Sequence, residues 1–233
     1  MPTFLELVRS LARESGTLAG GVSIPTTVGV TGRSEKMVNW IRSAWVNIQN
    51  EREDWPWMQR EFEGALTVGK LRYTALELGI STRFGRWKGD TPHFRTVTLY
   101  DAAIGRSDEG TLRQLTYEDW KRRYGRGAHD PNRPTDWAIS PQQEFCVGAT
   151  PDKAYPITGE YVASAQVLVT SEEVPELPAQ YHGAIVWEAM KLLGIADESA
   201  ATTSAAISEY VLARQALTRD YLPEITMSSR PLA

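Results

Sequence analysis

A chain of 233 residues with 42% hydrophobic and 23% charged side chains can bury a sizeable core, which excludes wholesale disorder. Its formal net charge of −4 offers no general attraction to nucleic acid or to an acidic membrane surface. A single cysteine, Cys146, excludes an intramolecular disulfide and a multi-cysteine metal site, and no stretch reaches the roughly 18 apolar residues of a membrane span.

The chain opens on Thr3-Phe4-Leu5-Glu6, a capping box, and a first helix with Phe4, Leu7, Val8 and Leu11 on one face, ended at Ser15-Gly16. Glu6 and Glu14 break its apolar pattern, so it does not read as a signal peptide, and the protein is expected to be soluble and intracellular. The glycine-rich link over 17–33 is longer than two antiparallel helices need and is a candidate functional loop. Thr31 or Ser34 caps a second helix carrying Val38, Ile41, Trp45 and Ile48, which ends before Asp54-Trp55-Pro56-Trp57.

From residue 61 the texture changes to short alternating runs: 61–68, 95–100, 137–139, 144–148 and 160–168, separated by Asn, Asp, Gly and Pro clusters. That pattern predicts a small antiparallel sandwich or barrel rather than a parallel sheet. One short helix interrupts it, capped by Thr116 and stopped at Gly125. At Pro178 the chain returns to helix, with Tyr181, Ile185, Ala189 and Leu192 on the buried face and Gly194 as the stop. A last helix carries Ile207, Tyr210, Val211, Leu217 and Tyr221 and stops at Pro223; the residues beyond have no periodicity.

The motifs that suggest chemistry each have a plainer reading. Gly64 to Lys70 matches the G-x-x-x-x-G-K spacing of a phosphate-binding loop, but Leu71 stands where the Mg²⁺-binding hydroxyl belongs, and a β-turn at Gly69-Lys70 fits better. His93, His129 and His182 lie far apart, and His182 has no chelating partner at i+3 or i+4. Cys146 alternates as an ordinary strand residue. Arg113, Lys121, Arg122, Arg123, Arg126 and Arg133 surround Tyr117, Trp120 and Tyr124, a mixture that can contact nucleic acid but that also serves a solvated face or a subunit contact. Eight tryptophans are many, and the spacing of Trp40 and Trp45 keeps both from the centre of one helical face, so one of them points to a second surface.

Several segments resemble the head-to-tail adaptor (head-completion, connector) proteins of tailed bacteriophages. They are the opening Phe4 to Gly16, Thr31-Gly32, the run Val38 to Gln49, the aromatic stop Asp54 to Met58, Leu115 to Trp120, and Leu177 to His182 leading into Ile185 to Ala189. They occur in order over most of the chain, whereas 76–91 matches no pattern of that family.

The resemblance implies an α+β fold: a helical bundle built from both chain ends, an inserted antiparallel β-sandwich-like domain and an extended C-terminal tail. The expected divisions are 1–60, 61–175, 176–223 and 224–233. It further implies a structural virion protein that assembles in the host cytoplasm. Such a protein forms a dodecameric ring beneath the portal protein, helps retain packaged double-stranded DNA without sequence-specific binding, and offers a platform to a tail or nozzle protein. No catalytic residue, cofactor, metal or membrane contact is expected. The tail, through Ile225, Met227, Arg230 and Leu232, is expected to reach the portal, with the 17–33 loop as a second anchor. Trp40, Trp45, Trp55, Trp57, Arg122 and Arg123 are expected at the subunit contact. Two other readings remain: a small enzyme with its site on the β-domain, using Cys146 or His182, and a nucleic-acid-binding module using the 113–133 cluster.

Overall fold

Thr3 opens α1 (Phe4–Glu14) with both halves of the capping box formed: its Oγ1 accepts from Glu6 N at 3.3 Å and its N–H donates to Glu6 Oε2 at 2.9 Å. Gly16, at φ +62°, takes the left-handed conformation that follows the helix end. Thr31 precedes α2 (Gly32–Asn50) without a side-chain cap, and α2 buries Met37, Val38, Ile41, Ala44, Trp45, Ile48 and Gln49, the three-four spacing of one helical face. The computed structural model describes residues 1–17, 24–52, 55–127 and 129–221.

The chain then enters β1 (Gln59–Ala65), β2 (Arg72–Tyr73), β3 (Phe84–Trp87), β4 (Thr98–Leu99), β5 (Gly110–Thr111), β6 (Arg113–Gln114), α3 (Tyr117–Arg123), β7 (Asp136–Ile139), β8 (Phe145–Gly148) and β9 (Pro156–Ala163). It leaves through α4 (His182–Ala196) and α5 (Ala200–Tyr221). The fold is α+β, and it divides into two compact units, Met1–Trp57 with Ala165–Ala233, and Met58–Ser164. The divisions fall at 57/58 and 164/165, where the sequence pattern drew them at 60/61 and 175/176. Residues 165–176 form neither helix nor strand yet belong with the helices, because α1 and α2 hold their backbone. Phe4 N donates to Glu173 O at 2.7 Å, and Arg42 Nε to Leu168 O at 2.8 Å.

In the helical unit α4 packs against α1, α2 and α5. Its apolar residues lie on several sides, Ile185, Val186, Ala189, Met190 and Leu193 all being buried, as a helix surrounded by others requires. Two expectations are corrected here. Pro178 is extended, at ψ 133°, so a 3-10 turn over Ala179–Tyr181 intervenes and α4 begins at His182. Gly194 lies inside α4 rather than after it; a Cβ there would sit 2.6 Å from Thr203 Oγ1 and 2.9 Å from Thr203 N of α5. The glycine serves a close helix crossing. Polar joints tie both helices to the end of α2: Glu188 of α4 meets Asn47 at 3.4 Å and, within α4, Lys191 at 2.6 Å, while Tyr210 of α5 donates to Glu51, which also pairs with Arg214 at 2.8 Å. Burial and the neighbouring Glu51 carboxylate push the Tyr210 phenol well above its ordinary pKa.

The strand-rich unit is two sheets. One has the order β1-β9-β4-β5, with β3 also on β9; the other has the order β2-β8-β7-β6. Phe62, Trp87, Leu99, Ile157 and Tyr161 from the first sheet share one core with Tyr73, Trp137, Phe145 and Val147 from the second. Trp137 and Phe145 stack with centroids 5.0 Å apart, and Trp87 meets Phe145 edge-on at 5.1 Å. All pairs are antiparallel except β6 with β7, which run parallel in the register Arg113↔Asp136. The expectation of a purely antiparallel sheet fails there because α3 is the crossover that returns the chain in the same direction. On the other side of β7 and β8, Ala138 and Cys146 pack against Trp120 of α3.

Candidate functional site

The residues suggestive of chemistry are occupied elsewhere. Lys70 pairs with Glu77, holding that carboxyl down at about 2, and Lys70 N closes a turn on Thr67 O at 3.2 Å, with Gly69 at φ +77°. The phosphate-loop spacing is therefore a turn between β1 and β2. Cys146 is fully buried, and burial pushes its thiol up to about 11, the reverse of what a nucleophile needs. His93 is exposed in a loop, and the exposed His129 bonds Arg126 O at 2.8 Å. Among the described residues no group of three or more His, Cys, Asp or Glu is placed to hold a metal, and no helix is long and apolar enough to cross a membrane.

His182 is buried at the start of α4, with Nε2 2.7 Å from Leu177 O and Nδ1 without a partner. Burial lowers its pKa, so the native ring stays neutral where an unfolded chain, with the ordinary value near 6.5, takes up a proton. The unfolded state then binds more protons, and stability falls as pH drops below about 6.5, by up to about 1.4 kcal/mol per unit. His182→Gln is expected to flatten that part of the profile, read as the change in urea midpoint between pH 7 and pH 5. An unchanged slope assigns the acid sensitivity to other groups.

Three members of the basic cluster are held in ion pairs. Arg113 pairs with Asp136 at 2.8 Å, Arg122 with Asp119 at 2.8 Å, and Arg133 with Asp108 at 2.8 Å. Trp120 is buried and donates Nε1 to Val147 O at 2.9 Å, Tyr117 stacks on it at 5.8 Å beneath Arg72, and the Tyr124 hydroxyl donates to Asp136. Trp120 is thus packed away and the half-buried Tyr117 and Tyr124 are held by these contacts, while Lys121, Arg122, Arg123 and Arg126 remain exposed charges.

Of the four tryptophans expected at a subunit contact, Trp45 and Trp55 are fully buried. Trp45 Nε1 donates to Gln166 Oε1 and Trp55 Nε1 to Ile48 O, each at 3.0 Å, so both hold the helical core. Trp40 is half-buried under Arg33, and Trp57, also half-buried, stacks on Trp55 at 4.5 Å and meets Tyr221 edge-on at 6.1 Å. These two have surface to offer. Ile225, Met227, Arg230 and Leu232 lie outside the described residues, as do 18–23 of the candidate loop.

Two exposed apolar faces escape the pattern reading. Ile207 and Val211, among the apolar residues that mark the last helix, are exposed together with Leu212, because α5 is buried only along Ala206, Tyr210 and Leu217. Val28, Val167 and Val169 form a second exposed set. The signal for the first was present: α5 has more large apolar residues than one narrow stripe can bury. The second follows a simple alternation about Leu168.

No curated protein matches this chain. One protein family does, the SU10 adaptor protein family, whose model covers residues 2–232, nearly the full length. It agrees with the segment-by-segment resemblance to phage adaptors and indicates a structural virion component. The chain belongs to the SU10 adaptor protein family.

Proposed function

We propose that this protein is a head-to-tail adaptor of a tailed phage, which assembles in the host cytoplasm as a ring below the portal, dodecameric by resemblance. There it helps retain packaged DNA and gives the tail or nozzle protein its platform. The observation that carries the reading is the family match over residues 2–232. The unpartnered apolar faces support it, since a protein that works alone rarely exposes several. The burial of Trp120 and the stacking of Tyr117 on it support passage of double-stranded DNA without base recognition. Within this reading Trp40, Trp57, Arg122 and Arg123 belong to the subunit contact, and Ile225, Met227, Arg230 and Leu232 reach the portal.

The test is a chain lacking residues 225–233. It is expected to keep the urea midpoint of the full chain and to lose docking on portal rings, read by light scattering and electron-microscope imaging of the mixture. Normal docking by the shortened chain removes the tail from the portal contact. A full-length protein that forms no ring and joins no portal removes the adaptor reading altogether.

A further inference from the structure

The strand-rich unit is an insertion, so the chain crosses between the two units twice, at 57/58 and at 164/165. β1 begins at Gln59 and β9 ends at Ala163, and the two strands are antiparallel neighbours with Gln59 opposite Val162. Both crossings therefore leave the strand-rich unit side by side, from one end of one strand pair.

The chain is clamped on either side of each crossing. At the second, Arg83 holds both backbone groups of Ser164. Ser164 N donates to Arg83 O at 2.7 Å, and Ser164 O accepts from Arg83 Nε at 3.2 Å and Nη2 at 2.8 Å. Arg83 itself sits at φ +54°, a left-handed conformation that an arginine seldom adopts and that these bonds maintain. Gly85 of β3 lies close beside this end of the chain; a Cβ there would meet Val162 O at 2.8 Å and Ser164 N at 3.0 Å. Two residues beyond Ser164, both backbone groups of Gln166 are held by Gln49 of α2, N donating to Oε1 at 2.7 Å and O accepting from Nε2 at 3.0 Å. Ala165 stands between the clamps and forms no hydrogen bond among the described residues.

The first crossing has the same spacing. Trp57 stacks on Trp55 at 4.5 Å, and Trp55 is fixed to α2 through Ile48 O, while Gln59 already pairs with Val162. Met58 alone lies between them.

We propose that Met58 and Ala165 are the two pivots of a hinge on which the strand-rich unit turns against the helical unit. Hinges are a few loop or element-terminal residues that absorb the φ/ψ change, and here clamps on both sides leave one residue per crossing to do so. Two pivots side by side define a single axis, so the motion is a bend; one crossing alone would also permit a swivel. The hinge does not rest on the ring reading. Under that reading it lets one unit seat on its partner while the other still adjusts.

Doubly spin-labelled full-length protein tests this, diluted into excess unlabelled protein so that only distances within one chain are read. Cys146 is fully buried and stays unlabelled. Lys36→Cys with Glu118→Cys places one label on α2 and one on α3, both at exposed positions. Lys36→Cys with Ser208→Cys, and Ala65→Cys with Glu118→Cys, are exposed control pairs that each stay within one unit. The distance distribution across the units is expected to be wider than either control. Equal widths overturn the hinge, because the units then form one rigid body. Arg83→Ala is expected to widen the cross-unit distribution further. Ala165→Pro, which fixes φ at a residue whose N–H is unbonded, is expected to narrow it, both controls staying unchanged. Cross-unit widths that ignore both substitutions overturn Ala165 as a pivot and Arg83 as its clamp. A variant that widens a control has lost its fold, and the wild-type comparison then decides alone.

Discussion

Replacing Gln49 by alanine is expected to cost the helical unit about 3–5 kcal/mol, among the largest effects of any single polar substitution in the chain. Gln49 is 1% exposed, and each polar atom of its amide is used: Nε2 donates to Trp45 O at 3.1 Å and Gln166 O at 3.0 Å, and Oε1 accepts from Gln166 N at 2.7 Å. Gln166 answers in kind, with Oε1 accepting from Trp45 Nε1 and Glu176 N and Nε2 donating to Val174 O, each at 3.0 Å. The two amides take the place of a neighbouring strand for the chain that follows Ala165. Truncation at Gln49 strands both backbone groups of Gln166, at about 1–3 kcal/mol for each unsatisfied group, against a total stability on the order of 5–15 kcal/mol.

Because the two glutamines act as one device, Gln49→Ala with Gln166→Ala is expected to cost markedly less than the sum of the singles. Gln49→Glu separates hydrogen bonding from shape. The carboxylate is nearly isosteric and accepts from Gln166 N, but it has no N–H for the two carbonyls and carries a buried charge. It is expected to be at least as destabilising as alanine at pH 7 and to recover partly as acid protonates it. Urea unfolding of the three variants reads this directly. Additive losses, or a mild Gln49→Glu, mean that the segment is held by packing instead.

What the sequence disclosed and what it hid divide by range. The capping box of α1 was legible because Thr3 and Glu6 act on each other across three residues. That 137–139 and 144–148 are strands was legible because their composition and the turn residues that bound them are local too. β2 and β6 were not, since two residues such as Arg72 and Tyr73 become a strand only by meeting Cys146 and Phe145, far along the chain. Thr98 and Leu99 kept pairing where 95–100 had the right alternation, because only Thr158, Ile157, Thr111 and Gly110 stood opposite. The parallel β6–β7 pair depended on where α3 delivered the chain.

The candidate surfaces follow the same rule. That Trp45 is core and Trp40 half-exposed turns on Gln166, more than a hundred residues away. That Ile207 and Val211 face outward turns on α5 having α4 alone as its main neighbour. Periodicity names the apolar positions of a helix; it takes the tertiary partners to say which of them are left over.

Gly194 gives the sharpest contrast between the two kinds of reading. If the glycine only ended a helix, alanine there would cost about 1 kcal/mol at most, and less where φ is negative. In the structure it sits within α4 in the right-handed helical region, where alanine would by propensity alone stabilise by about 0.5–1 kcal/mol. The expected result is nonetheless a loss, because a Cβ would meet Thr203 N at 2.9 Å and Thr203 Oγ1 at 2.6 Å, and the backbone atom cannot rotate away. Overpacking of this kind costs about 1–3 kcal/mol for alanine, and Gly194→Leu is expected to exceed that range by forcing α5 off α4. Thr203→Ala in the alanine background removes only the hydroxyl contact and is expected to restore part of the loss, the approach to Thr203 N remaining. An alanine variant more stable than wild type means that the two helices relax apart at no cost and returns Gly194 to the ordinary role of a replaceable helical residue.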